Sequence, residues 1–200
     1  MSNERPNGIS PSQFHKVMTG SRKKGVTFGK TAHSYAEEIV QRLMGVKIEQ
    51  YVSQAMLDGI EREPMAVEAY EREKLVDVKA RDPQVRIVHP KYNYISGEPD
   101  GLVGDEGLIE VKSPNEANHF KNLLNGEQIT QYRYQIQGYM WLADRQWCDF
   151  CSFNPNYPKK YQISIDRVIR DDDMISELEE RCVKFWNELV IPLKEKVEQL

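Results

Sequence analysis

The stretch ISGEPDGLVGDEGLIEVKSP, residues 95–114, constrains the fold more than any other part of the chain. Gly, Pro and Asp break it too often for a helix, and its apolar residues fall in short β-rich runs. GLVGDEGLIE reads as strand, Gly-Asp turn, strand, so Asp100, at the tight GEPDG turn one hairpin earlier, can be carried back beside Glu110 on the second strand. Alternation along that second strand places Glu110 and Lys112 on one face and turns Val111 into the core. From Val85 onward the segment reads as a meander of three or four strands.

Helical patterns flank this meander. Tyr35, Ile39, Val40, Leu43 and Met44 form an apolar face that ends at Gly45. A second helical stretch runs from about Gln54 to Val76, with Pro64 suited to the first turn of a new helix. EANHFKNLL and ITQYRYQIQGYMWLADR read as helices, and WCDFCSFNP and KYQISIDRV as strands. From Asp171, Ile175, Leu178, Cys182, Phe185 and Leu189 recur at helical spacing, and Pro192 is expected to kink or end that helix. The fold class is α/β, a central mixed sheet flanked by helices. With 200 residues, 40% of them hydrophobic, one domain over 1–200 is expected, with a basic segment at 1–30 and a C-terminal helix at 171–200.

A net charge of −4 argues against coating nucleic acid by bulk charge. The charge is uneven, however: Arg5, Lys16, Arg22, Lys23, Lys24 and Lys30 stand against the single acid Glu4 in the first 30 residues. No apolar run reaches the length of a membrane span and the N-terminus lacks a secretory core, so a cytoplasmic protein is expected. The three cysteines, Cys148, Cys151 and Cys182, suit reduced thiols. Cys148 and Cys151 lack the further ligands of a zinc site, and an alternating strand accounts for the pair.

Two carboxylates held close repel each other, and a shared proton or a bound cation relieves that. Mg²⁺ suits such a pair, because it prefers hard oxygen ligands and takes one or two carboxylates with substrate phosphate. A lysine beside the ion can orient water or offset charge on a phosphate, so the constellation fits metal-assisted phosphodiester hydrolysis. The plainer alternative is a hairpin whose exposed face carries Glu110 and Lys112 as a weak ion pair.

Four motifs in order bear on this choice: Gly59-Ile60-Glu61-Arg62-Glu63, Gly97-Glu98-Pro99-Asp100, Glu110-Val111-Lys112 and Gln135-Ile136-Gln137-Gly138-Tyr139. With them the chain resembles the PD-(D/E)xK nuclease superfamily, and within it the lambda-exonuclease-like branch, the YqaJ-like viral recombinases, from Arg5 to about Pro155. The resemblance implies a restriction-endonuclease-like core. It implies that Asp100, Glu110 and the main-chain carbonyl at Val111 bind the metal and that Glu63 supports a second metal or its water. Lys112 would position or activate the nucleophile, and Gln135, one turn from Tyr139 on the same helix, would reach the lysine or the water. Arg5 and Ser12, seven residues apart, would hold the 5′ phosphate of a DNA end, since a guanidinium fork can bond two of its oxygens. Arg22, Lys23 and Lys24 would lie against the duplex; a solvated charged loop is the alternative.

The implied activity is a Mg²⁺-dependent 5′-to-3′ exonuclease, with Mn²⁺ as the alternative ion, that digests the 5′-phosphorylated strand of double-stranded DNA and leaves a 3′ overhang. The resemblance further implies a toroidal homotrimer and a partner single-strand annealing protein, as in phage recombination, in a bacterial or phage-infected cytoplasm. Three rivals stand beside it. One is an iron–sulfur nuclease, against which three cysteines count because such a cluster takes four ligands. The others are a structure-specific or restriction-type endonuclease on the same fold, and a non-catalytic DNA-end-binding protein.

Overall fold

The computed structural model describes residues 7–21, 25–49, 51–79, 86–126 and 128–200. Arg5 and the run Arg22, Lys23 and Lys24 lie outside the described residues. In chain order the elements are α1 (Phe14–Met18), α2 (Lys30–Leu43), α3 (Gln54–Lys74), β1 (Val78–Lys79), β2 (Ile87–Val88), β3 (Ser96–Gly97), β4 (Gly101–Val103) and β5 (Gly107–Lys112). They continue with α4 (Glu116–Asn125), α5 (Ile129–Ala143), β6 (Trp147–Phe153), β7 (Ile163–Ile169), α6 (Asp172–Phe185), a π turn at Trp186–Val190 and α7 (Ile191–Glu198). They form two compact units, one of Met1–Gln50, Ile87–Gly97 and Asp171–Leu200, the other of Tyr51–Arg86 and Glu98–Arg170.

The second unit holds the expected mixed sheet. Its five strands run in the order β1-β4-β5-β6-β7, with β5 and β6 parallel and the other pairs antiparallel. A parallel pair needs a crossover connection, and α4 and α5 supply it. On one face, Ala66, Ala69 and Tyr70 of α3 pack with Val78, Val103, Ile109, Val111, Cys151 and Phe153. On the other, Tyr132 of α5 stacks on Phe150, ring centroids 5.7 Å apart. β5 is therefore covered on both sides and is buried from Gly107 to Val111. The turn after β4 contains Gly104 at φ +55°, a conformation glycine adopts without strain.

Pro64 does not start a new helix: α3 runs unbroken from Gln54 to Lys74 around it. Proline costs a helix interior about 3 kcal/mol, and here the stripe Ala66, Ala69 and Tyr70 packed on the sheet outweighs that local preference. Tyr70 also donates from its hydroxyl to Asp149 Oδ2 at 2.8 Å, while Arg167 closes on the same carboxylate at 2.8 and 2.9 Å. This compensates a carboxylate that is 0% exposed. Burial, together with the bond to Asp149 and its charge, pushes the Tyr70 phenol well above its ordinary range, so it stays a donor. Cys148 and Cys151 lie three apart on β6, hence on opposite faces, and both are buried.

The first unit contains α1, α2, α6, α7 and the two-stranded ribbon of β2 and β3. Its core includes Phe14, Val17, Phe28, Tyr35, Ile39, Cys182 and Phe185. Phe185 stacks on Tyr35 at 5.7 Å and meets Phe28 edge-on at 5.8 Å. Arg181 donates to the carbonyls of Val17 and Thr27 at 3.0 and 2.7 Å, tying the N-terminal segment to α6.

Two sequence expectations are corrected in this unit. The meander does not stay in one sheet: the backbone around Ile95 pairs with Ile9 (Ile9 N–H to Tyr94 O, 2.7 Å; Ser96 N–H to Ile9 O, 3.0 Å), and β3 pairs with β2 in a two-stranded ribbon of its own. Pro192 neither ends nor sharply interrupts the C-terminal helix, which passes through the π turn and places Pro192 in the first turn of α7, where its missing N–H is tolerated. The short α1 and the two-residue β1 have no counterpart in the sequence reading. Among the described residues no helix is long and apolar enough to cross a membrane.

Gly107 lies opposite Trp147 in the parallel pair, and a Cβ there would sit 2.2 Å from the indole ring. The ring has little room to retreat, since the Arg167 guanidinium lies 3.7 Å from its centroid. Gly107→Ala is expected to cost about 1–3 kcal/mol by overpacking, read as a lower midpoint in urea denaturation. An unchanged midpoint would show that Trp147 moves freely.

Candidate active site

The hairpin of β4 and β5 builds the site. Gly101 pairs with Ile109, so the next step along the ladder sets Asp100 beside Glu110. Asp100 Oδ2 accepts from the Val111 N–H at 2.6 Å, which fixes that carboxylate against the strand carrying Glu110 and Lys112. The expected convergence of two carboxylates and an ammonium is therefore present.

Glu110 is 1% exposed, far from the solvated face of a weak surface pair. Its Oε1 accepts from Lys112 Nζ and, at 2.6 Å, from the Gln135 side-chain amide. Lys112 also lies over the Tyr132 ring, 4.9 Å from its centroid. Burial works against the Lys112 ammonium, but the charges of Glu110 and Asp100 and the hydrogen bond to Glu110 outweigh it and hold its pKa above the ordinary value. The Ser113 hydroxyl, next in sequence, is buried and has no hydrogen-bond partner among the described residues.

Gln135 and Tyr139 lie one turn apart on α5; Gln135 reaches Glu110, while Tyr139 is buried at 6% exposure. Glu63 is half-buried on α3, one turn before Ala66 on the stripe that meets the sheet. It does not complete a three-carboxylate cluster with Asp100 and Glu110: among the described residues, no three His, Cys, Asp or Glu side chains converge closely enough to hold an ion. Ser12 belongs to the other unit, in a 3-10 turn at Pro11–Gln13, with its hydroxyl 2.8 Å from that of Ser10.

The donor set fits a hard divalent cation. Asp100 and Glu110 offer carboxylate oxygens at one place, and a pair of carboxylates is the usual protein share of a Mg²⁺ shell, the remainder being water and phosphate. Thiol and imidazole ligands are not among these residues, so softer metals have less to bind.

Two parts of the surroundings escaped the sequence reading. Tyr132, to which the sequence assigns no role at the site, sits three residues before Gln135, and that helical spacing was the available signal. The other is a buried polar cluster behind Lys112. Ser152, the strand partner of Lys112, is 2.8 Å from His119 Nδ1 and accepts from the Asn122 amide at 2.9 Å. Asn122 in turn donates to Gln128 Oε1 at 2.8 Å and accepts from the Gln128 N–H at 3.1 Å, just before α5 begins. Isolated polar residues on helical and strand patterns gave no hint that they would meet.

Comparison with known proteins bears on the family and the fold. Residues 2–146 match the model of the YqaJ-like viral recombinase domain. An alkaline exonuclease (LHK-Exo) from Laribacter hongkongensis is 34% identical, with a TM-score of 0.83 over 98% of this chain and 95% of that one. Its complex with dAMP aligns at 33% identity and a TM-score of 0.82, over 96% and 94% of the two chains. A phage-related exonuclease from Haemophilus somnus 129PT shares the fold at 19% identity, with a TM-score of 0.75 over 93% and 96% of the chains. The uncharacterized protein YqaJ of Bacillus subtilis (strain 168) is 25% identical over 122 residues, 56% of this chain and 35% of that protein's length. On the family match and the shared architecture, the chain belongs to the YqaJ-like viral recombinase family and has the fold of the alkaline exonucleases.

Proposed function

We propose that this chain is a Mg²⁺-dependent exonuclease that hydrolyses the 5′-phosphorylated strand of double-stranded DNA to mononucleotides, leaving a 3′ overhang for strand annealing. One observation carries the reading: Asp100, Glu110, Lys112 and Gln135 meet around a carboxylate that is 1% exposed. A surface ion pair needs none of that burial, whereas a phosphodiesterase needs oriented carboxylates beside a cation.

In this reading Asp100 and Glu110, with the Val111 carbonyl, would hold the ion. When bound, it would supply Lewis-acid polarisation of the scissile phosphate and stabilise the departing 3′ oxygen. The chain's own residues do the positioning. The Val111 N–H fixes Asp100, and Lys112 and Gln135 together fix the Glu110 carboxylate through one oxygen. The Lys112 ammonium presents donors to attacking water and to charge that develops on phosphate. Tyr132 confines that ammonium from the side. Glu63 is assigned a supporting role toward a second ion or its water, and Arg5 and Ser12 the terminal phosphate. Arg22, Lys23 and Lys24 are assigned the duplex backbone, and the assembly a ring of three subunits with a single-strand annealing protein as partner.

The first test incubates the protein with Mg²⁺ and linear duplex DNA bearing a 5′ phosphate or a 5′ hydroxyl, with closed circular DNA alongside. The expected result is mononucleotide release from the 5′-phosphorylated linear strand alone, abolished by EDTA. Nicking of the circle would replace the reading with an endonuclease, and no digestion in any tube would leave an end-binding protein. Lys112→Ala is expected to lower kcat by about 10²–10³ while the duplex Kd measured in Ca²⁺ stays within about twofold; equal loss of binding would make Lys112 a DNA-binding residue only. For Gln135→Ala, which removes the amide donor from Glu110, kcat should fall about tenfold with little change in KM. A purely structural Gln135 would instead lower the melting temperature and leave kcat unchanged.

A further inference from the structure

On the second unit, where α3 ends and β7 begins, Arg72, Lys74, Lys159 and Lys160 line an open cavity of about 480 Å³ with Glu73, Ile163 and Ile165. Four cations against one acid are unusual in a chain of net charge −4. These four form no ion pair among the described residues, a state they share with Lys30, Lys47, Lys121, Arg133 and Lys196, so what sets them apart is their convergence on one cavity.

The lining is amphipathic. Ile163 and Ile165 are half-buried and give the cavity an apolar side, while the cations are exposed around it. Lys159 and Lys160 stand on a 3-10 turn that ends in Tyr161, whose side chain is exposed at 47%. Lys160 Nζ lies 5.3 Å from the centroid of that ring. The turn is held in place, because the Tyr161 carbonyl sits 2.8 Å from Nε2 of the buried His119. An anchored turn therefore presents cations and an aromatic face to solvent together.

We propose that this cleft binds a single strand of nucleic acid, with phosphates on Arg72, Lys74, Lys159 and Lys160 and a base stacked on Tyr161. Resting on the exonuclease reading, the occupant is the strand that escapes digestion. Charge alone would suit any polyanion, but exposed aromatic rings beside a basic groove are what unpaired bases recognise; in a duplex the faces are stacked out of reach. The volume lies within the range of pockets that hold small organic molecules, ample for a nucleotide unit and larger than a lone phosphate requires. None of these residues belongs to the Asp100, Glu110, Lys112 and Gln135 set.

The test uses the full chain in EDTA, where no cleavage intervenes, and follows the anisotropy of a labelled oligothymidylate. The double variant Lys159→Glu/Lys160→Glu is expected to weaken binding about tenfold and to flatten the slope of log K against log salt by about 1.4, the release expected from two phosphates of a single strand. Tyr161→Ala is expected to weaken it about tenfold by loss of stacking. Binding of a blunt duplex should stay within about twofold in both variants, and the circular dichroism melt should match the parent. Unchanged oligothymidylate binding and salt slope in folded variants overturn the proposal. An equal loss of duplex binding reassigns the cleft to general backbone contact. Displacement of the oligonucleotide by inorganic phosphate or dAMP at matched phosphate concentration reduces it to a simple anion site. Poly-L-glutamate binding that the variants weaken, with oligothymidylate unaffected, points to an acidic polypeptide instead. Failure of the exonuclease reading shows separately, as absence of digestion in Mg²⁺ with oligothymidylate binding intact.

Discussion

A carboxylate in the middle of a sheet is the constraint around which the second unit is arranged. Left alone, a charge at 1% exposure would cost several kcal/mol, and the chain meets that demand with an ammonium from its own strand and an amide from α5. The demand explains why α5 must lie where it does. It also explains why Tyr132 and Gln135 occupy the same face of that helix, one flanking the lysine and the other gripping the acid. The second buried acid of the sheet, Asp149, is met differently, by a bidentate arginine and a phenol, a closed arrangement with no role left for an outside cation. The comparison separates a carboxylate arranged for structure from one arranged around a lysine that also faces a second acid.

The hairpin was legible because its signals are local. Gly104 marks a turn, strand alternation follows by period two, and the two fix Asp100 against Glu110 without reference to the rest of the chain. The motif order made Gln135 legible as well, although it contacts Glu110 where the resemblance implied the lysine or the water. What stayed illegible depends on partners distant in sequence. The segment at 94–96 carries a strand pattern, yet Ile9 claims its backbone groups, and no local rule announces that competition. His119, Asn122 and Ser152 look like ordinary helix and strand residues until folding brings them together.

The two prolines carry a related lesson. Rules for proline describe what it removes, an N–H and some room, and predict a break wherever the loss is uncompensated. At Pro64 the compensation is the sheet under α3; at Pro192 it is a π turn, whose wider spacing releases the hydrogen bond that proline cannot make. Both sites read as helix ends in the sequence because compensation is a property of neighbours.

The parallel pairing of β5 with β6 has one more consequence. A parallel neighbour obliges the chain to leave the sheet after Lys112 and return before Trp147, and Gln135, which clamps Glu110 from outside β5, rides on that excursion. The two acids belong to a rigid hairpin, and their clamp to a connecting segment whose length and composition topology leaves comparatively unconstrained. A change in the length of that excursion would alter how Gln135 meets Glu110 without moving Asp100 against Glu110, which the hairpin alone sets.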